Sequence, residues 1–217
     1  CNNNVIGRAH SISYFLLLHT CTYVYIYRQI FIYSYIHIYA DIHTNIHMQD
    51  AKDIAELVEG LRAHVDDHAA ALAACQALAR LTAGEQPKKA AAIVKAGGIE
   101  AVLAAGAKHA GSAQVAEQMC RVLRSLAYYS NDNRAAIAAA GGIEAVVRVM
   151  RKHQANAAVM QQACGALCNI GWSDEALQKR IKDAGAEPLV RAAVAAPDAT
   201  DDTKEEGQML LDKLGKV

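Results

Sequence analysis

AGGIE stands at residues 96–100 and again at 140–144, and AGAEP follows at 184–188, so the spacing is 44 residues both times. The same lattice holds away from that pentapeptide. ACQALARL (74–81), MCRVLRSL (119–126) and ACGALCNI (163–170) superpose at offsets of 45 and 44. In the terminal QMLLDKL, Leu211 and Leu214 lie 44 after Leu167 and Ile170. His64, His109 and His153 mark one further position, and DIAELVEGLRAH (53–64) is the earliest copy of GIEAVLAAGAKH (98–109). Several motifs held in register across four copies define a helical solenoid with units of about 50–95, 96–139, 140–183 and 184–217;.

Punctuation divides each unit into helices. In 132–172, DNRAAIAAA reads as a short first helix with Asp132 placed to cap it;. The glycines at 141 and 142 end that helix, and one glycine recurs in register at Gly97, Gly141 and Gly185, as expected where the corner needs a positive φ;. IEAVVRVMRKH is the second helix, with Ile143, Val146, Val147 and Met150 on one stripe and His153 and Lys152 suited to its carbonyl end;. Asn156 precedes a long third helix, AAVMQQACGALCNI, whose apolar stripe is Val159, Met160, Ala163, Leu167 and Ile170.

A short helix, a glycine corner and two longer helices resemble the armadillo repeat family rather than the two-helix HEAT unit. The resemblance rests on NRAAIAAAGGIEAVVRVM (133–150), on QQACGALCNI (161–170) and on the 44-residue lattice, and it covers roughly 50–217. It implies an all-α fold, a right-handed α-solenoid of armadillo-type three-helix repeats. It also implies a non-catalytic scaffold whose third helices line a concave groove for an extended segment of a partner protein.

In that family a recurring Asn on the third helix clamps a ligand backbone, and Asn169 matches the position, with Arg80, Ser125 and Lys213 at the equivalent places. The importin-type tryptophan four residues earlier is replaced by Gly165, a departure that speaks against binding of nuclear localisation signals. Trp172 offers an apolar platform three residues after Asn169. Two bland readings stand beside these, a helix-end residue bonded to nearby carbonyls for Asn169 and inter-repeat packing for Trp172. Arg121, Arg124, Tyr128 and Tyr129 read either as a basic-aromatic part of the groove or as a solvated helix end.

The His64, His109 and His153 series is one residue per repeat, and stacked helices lie about 10 Å apart. That is too far for one metal with ligands at about 2 Å, so helix-end capping is expected and no metal or cofactor. Neither a phosphate loop nor a nucleophile elbow occurs, so no enzyme is expected. With 22 basic and 22 acidic residues the net charge is zero, which excludes a general polyanion binder and nucleic acid as the expected partner;. Cys75, Cys120, Cys164 and Cys168 fall on apolar stripes without zinc spacing, the pattern of free core thiols in a reducing, intracellular compartment, cytoplasmic or nuclear;. The acidic run DATDDTKEEG (198–207) suits a solvated loop and a helix N-terminus, and Gln208, Lys213 and Lys216 are expected to be exposed on a terminal cap;.

Residues 1–47 obey another rule. YVYIYRQIFIYSYIHIY (23–39) alternates Tyr or His with Ile or Val, and both faces of a strand built from it would be apolar;. Tyr, His and Cys codons read pyrimidine-purine-pyrimidine, whereas Ile, Val and Thr codons can read purine-pyrimidine-purine. The segment therefore reads as translated simple-sequence DNA, a low-complexity leader that ends near the first Met, Met48, in a chain opening on Cys1. The alternative is a membrane anchor, which would make the chain a membrane-tethered adaptor. Arg28 and Gln29 interrupt the apolar run short of the ~20 residues a span needs;.

Overall fold

A computed structural model describes residues 51–84 and 86–217. Both readings of residues 1–47 lie outside the described residues. Eleven α-helices and no strand occur among the described residues: α1 (Ala51–Ala63), α2 (His68–Leu81), α3 (Pro87–Lys95), α4 (Gly98–Lys108), α5 (Ala113–Tyr129), α6 (Asn131–Ala139), α7 (Gly142–Lys152), α8 (Ala157–Ile170), α9 (Glu175–Asp183), α10 (Glu187–Ala195) and α11 (Asp201–Leu214). The short first helices are α3, α6 and α9. The second helices are α1, α4, α7 and α10, and the long third helices α2, α5, α8 and α11 stack one on the next.

One lattice position starts every third helix, and it is a capping residue each time. Asp67, Ser112, Asn156 and Thr200 each accept a hydrogen bond from a backbone N–H of the first turn. Four different residues serve because the position needs only a short side-chain oxygen on extended backbone. The first helices α6 and α9 are capped in the same way by Ser130 and Asp174. Ser130 thus takes the role expected of Asp132, which lies inside α6, where its charge favours the helix N-terminus;.

The corner between first and second helices rests on glycine twice over. Gly97, Gly141 and Gly185 have φ of 74°, 80° and 81°, the left-handed region that costs glycine nothing;. The next glycine is a matter of space. A Cβ on Gly98 or Gly142 would stand 2.4 or 2.5 Å from the Cγ2 of Ile93 or Ile137. In the last copy Ala186 holds that place, and the helix begins one residue later, at Glu187.

The core runs along the stacked third helices. Leu78, Leu123 and Leu167 occupy one lattice position and are fully buried, as are Cys75, Cys120 and Cys164 at another. Burial pushes the thiols of Cys75 and Cys164 up to about 12, and it drives Cys120 and Cys168 upward too. These four are free thiols that pack as small hydrophobes, with no thiolate character at neutral pH;.

Polar ties bind each repeat to its neighbour. The Nε2–H of His109 donates to the carbonyl of Val65 at 2.7 Å, and that of His153 to Ala110 at 2.9 Å. Both residues cap their own helices through the backbone, His109 N–H donating to Ala105 and His153 N–H to Val149, while their rings reach the preceding inter-helix loop. Arginines close the corners in the other direction. Arg62 donates to the carbonyls of Ala96 and Gly97 at 3.1 and 2.9 Å, and Arg151 to Ala184 at 2.9 Å. The lattice position between those arginines is Ala107.

Candidate functional site

One contact spans the third-helix face. Arg124 on α5 and Glu206 on α11 form an ion pair at 2.5 Å although α8 lies between their helices. Packed helices stand about 8–10 Å apart, so the two long side chains together reach across the width of α8. Gly165 on α8 makes the crossing possible. A Cβ there would stand 2.6 Å from Arg124 Nε and 2.6 Å from Glu206 Oε2. Arg124 Nη1 also donates to Gln162 Oε1 at 3.3 Å, and Gln161 Nε2 donates to Asp202 Oδ2 at 2.9 Å. Glu206 is compromised by its position. Burial raises its pKa against the pull of Arg124, and Oε2 is buried with no hydrogen-bond partner.

Beside this bridge lie the C-terminal ends of α5 and α8. Asn169 is half-buried, and its Nδ2 donates to the carbonyl of Arg124 at 3.0 Å. Its amide is therefore not an open clamp, because one donor already ties α8 to α5. Trp172 follows α8 and is 49 % exposed, with the Lys213 ammonium 3.8 Å from its ring centroid. Lys213 is thus not the exposed residue of a polar cap, for its Nζ is buried and has no hydrogen-bond partner. Desolvation lowers its pKa, with Arg134 and Lys216 acting in the same direction.

The other residues singled out from the sequence separate. Arg121 is exposed and pairs with Glu117 one turn back at 3.5 Å, while Ser125 is half-buried on α5. Arg80 is exposed at the end of α2, two repeats from Trp172. The Tyr129 hydroxyl lies against the carbonyls of Thr82 and Gly84 and accepts the Gln86 N–H at 3.1 Å, so it holds the α2–α3 loop. Tyr128 is 66 % exposed and meets Tyr129 edge-on, with ring centroids 5.6 Å apart.

Tyr128 and Trp172 are the large hydrophobic residues exposed among the described residues. They lie 44 residues apart, so they occupy one lattice position in successive repeats. That register was available in the sequence and marks the aromatic pair more sharply than clustering with arginines does. Glu206 carried no such signal, because it is placed by a neighbour distant in the chain.

Residues 130–171, from the cap of α6 to the end of α8, match the family model of the Armadillo/beta-catenin-like repeat. Two crystal structures of engineered proteins superpose on the chain. One has a TM-score of 0.64 at 26% identity over 75% of this chain and 62% of that one, the other 0.66 at 24% over 76% and 64%. A designed armadillo repeat protein gives 0.63 at 21% identity, over 74% of this chain and 64% of its own. The chain therefore spans somewhat less than two thirds of each of these structures. No curated protein matches it.

Proposed function

Taking the armadillo-type solenoid as the premise, we propose that the chain is a non-catalytic scaffold that binds an extended segment of a partner protein along its third-helix face. One observation carries the reading: Tyr128 and Trp172, exposed aromatics at the same lattice position, stand one repeat apart at the ends of adjacent third helices. Exposed aromatic anchors are where binding energy concentrates in protein interfaces. Two such anchors at the helical stacking distance of about 10 Å suit a segment that is itself extended. Asn169 lies three residues before Trp172, against the Arg124 carbonyl, and keeps the second hydrogen of its amide nitrogen as a donor to a ligand backbone;. The Arg124–Glu206 bridge crosses the same face at Gly165, so a segment running the full length of the face must open it. The four free thiols of the core support a reducing, intracellular setting as part of this reading;.

The test is selection of short peptides from a random library against the full chain. Trp172 is the sole tryptophan of the sequence, so its emission reports binding directly. Selected peptides are expected to shift that emission and to lose roughly 2 kcal/mol or more on Trp172→Ala. Peptides that bind a Tyr128→Ala, Trp172→Ala double variant as well as the original chain would show that another surface is used.

A further inference from the structure

The charge around Trp172 is one-sided. Lys213 stacks on the indole with its ammonium donors unsatisfied. Arg134, at the start of α6, donates to Ser173 Oγ at 3.2 Å, to Asn131 Oδ1 at 2.8 Å and to the carbonyl of Ala127 at 2.9 Å, all of them neutral acceptors. Lys216 is exposed one turn beyond Lys213. Among the described residues none of these three cations forms an ion pair with a carboxylate. The neighbouring acid, Asp174, is turned toward its own helix, where Oδ1 accepts from Ala176 and Leu177.

The same face shows what happens when an acid is within reach. Arg124, the next cation along it, has drawn Glu206 across a whole repeat. Around Trp172 no acid among the described residues plays that part. An ammonium with no hydrogen-bond partner is costly to keep dry, and a carboxylate brought to the edge of the indole relieves that cost. The lysine stem is flexible enough to turn its head from the ring to the newcomer. A basic segment would instead add its charge to three cations already present.

Resting on the groove reading above, we infer that the Trp172 end of the third-helix face is an anionic subsite, where Lys213 and Arg134 receive an aspartate or glutamate side chain of the bound segment. The partner is thus an extended segment that carries carboxylates, with an apolar side chain beside them for the indole.

The experiment uses the full chain and three fluorescein-labelled peptides of one spacing around a common apolar residue. One carries Asp and Glu, one carries Asn and Gln at the same places, and one carries Lys. Anisotropy and Trp172 emission are read together. The acidic peptide is expected to bind about tenfold tighter than the amide peptide, and the preference is expected to fade as salt rises. Lys213→Met, which keeps the stem over the ring, is expected to cost the acidic peptide about fivefold and the amide peptide little. Lys213→Arg is expected to restore binding, and melting of both variants by circular dichroism shows that they are folded. Should Lys213→Met unfold the chain, exposed Lys216→Glu serves, with the same selective loss for the acidic peptide expected. Tighter binding of the Lys peptide would overturn the inference while leaving the groove reading in place. Failure of all three peptides to move Trp172 would overturn both. Acidic binding indifferent to the folded lysine variant would place the anion elsewhere and overturn the inference alone.

Discussion

Arg124 and Glu206 are 82 residues apart in the chain and 2.5 Å apart in the fold, and they meet above Gly165, where any side chain would stand between them. The middle of the third-helix face is therefore not an open trough. It is crossed by a strut that joins the third helices of two repeats that are not neighbours.

Gly165→Ala is expected to separate the pair without harming the fold. The atoms in the way belong to two flexible side chains, and alanine gains up to about 1 kcal/mol over glycine inside a helix;. The melting temperature is expected to hold or rise. A double-mutant cycle with Arg124→Gln and Glu206→Gln is expected to give a smaller coupling in the Gly165→Ala background than in the original chain. Equal couplings would mean that the pair does not depend on the missing side chain.

Glu206 is expected to leave a mark on the pH dependence of stability. Its folded pKa lies above the value of 4.5 for the free group, with burial as the main cause. Between those two values the folded state holds more protons than the unfolded state, so this group adds stability as pH falls through that window. Glu206→Gln removes that increment. Urea melts at neutral pH and at about pH 5 are expected to show the original chain gaining on the variant as the solution is acidified. A difference that stays constant, or that moves the other way, contradicts the assignment.

The glycine corner gives a third expectation. At Gly141 the space is open, since the nearest atom to an added Cβ is Glu144 Oε2 at 3.9 Å, so the cost of a side chain is backbone strain alone. Gly141→Val is expected to lose roughly 1–3 kcal/mol and Gly141→Asn markedly less, because asparagine tolerates the left-handed region. Thermal melts of the two variants side by side decide it, and equal losses would point to a cause other than φ.

Ala107 sits where Arg62 and Arg151 close the corners of the neighbouring repeats. Ala107→Arg is expected to supply the missing tie, donating to the carbonyls of Ala140 and Gly141. The site is exposed, so the gain is at most about 1 kcal/mol, seen as a rise of a few degrees in melting temperature. A fall would show that the lattice does not carry over at this corner.

Asn169 and Leu167 separate face from core. Leu167 is fully buried, and Leu167→Ala is expected to lose about 2–5 kcal/mol of stability with partner affinity unchanged in the folded fraction;. Asn169→Ala gives up the bond to the Arg124 carbonyl and is expected to lose about 1 kcal/mol of stability;. It is also expected to weaken a bound extended peptide. If stability falls and affinity does not, Asn169 serves only the α5–α8 tie.

What the sequence determined by itself is everything that repeats. A period of 44, helices split by capping residues and glycines, and leucines and cysteines on one stripe are all legible, because each is set by forces acting within a turn or two of helix;. The register of Tyr128 with Trp172 belongs to the same class, since it is lattice arithmetic. What only the tertiary structure decided is everything that departs from the repeat. Arg124 finds Glu206 two repeats away, Lys213 turns inward onto Trp172, and the His109 ring reaches back to Val65 while its backbone caps its own helix. Each depends on which side chains the packed helices bring together and on which side chain is missing between two others. Such contacts are a property of the assembled row of helices, made between repeats whose individual sequences do not contain them.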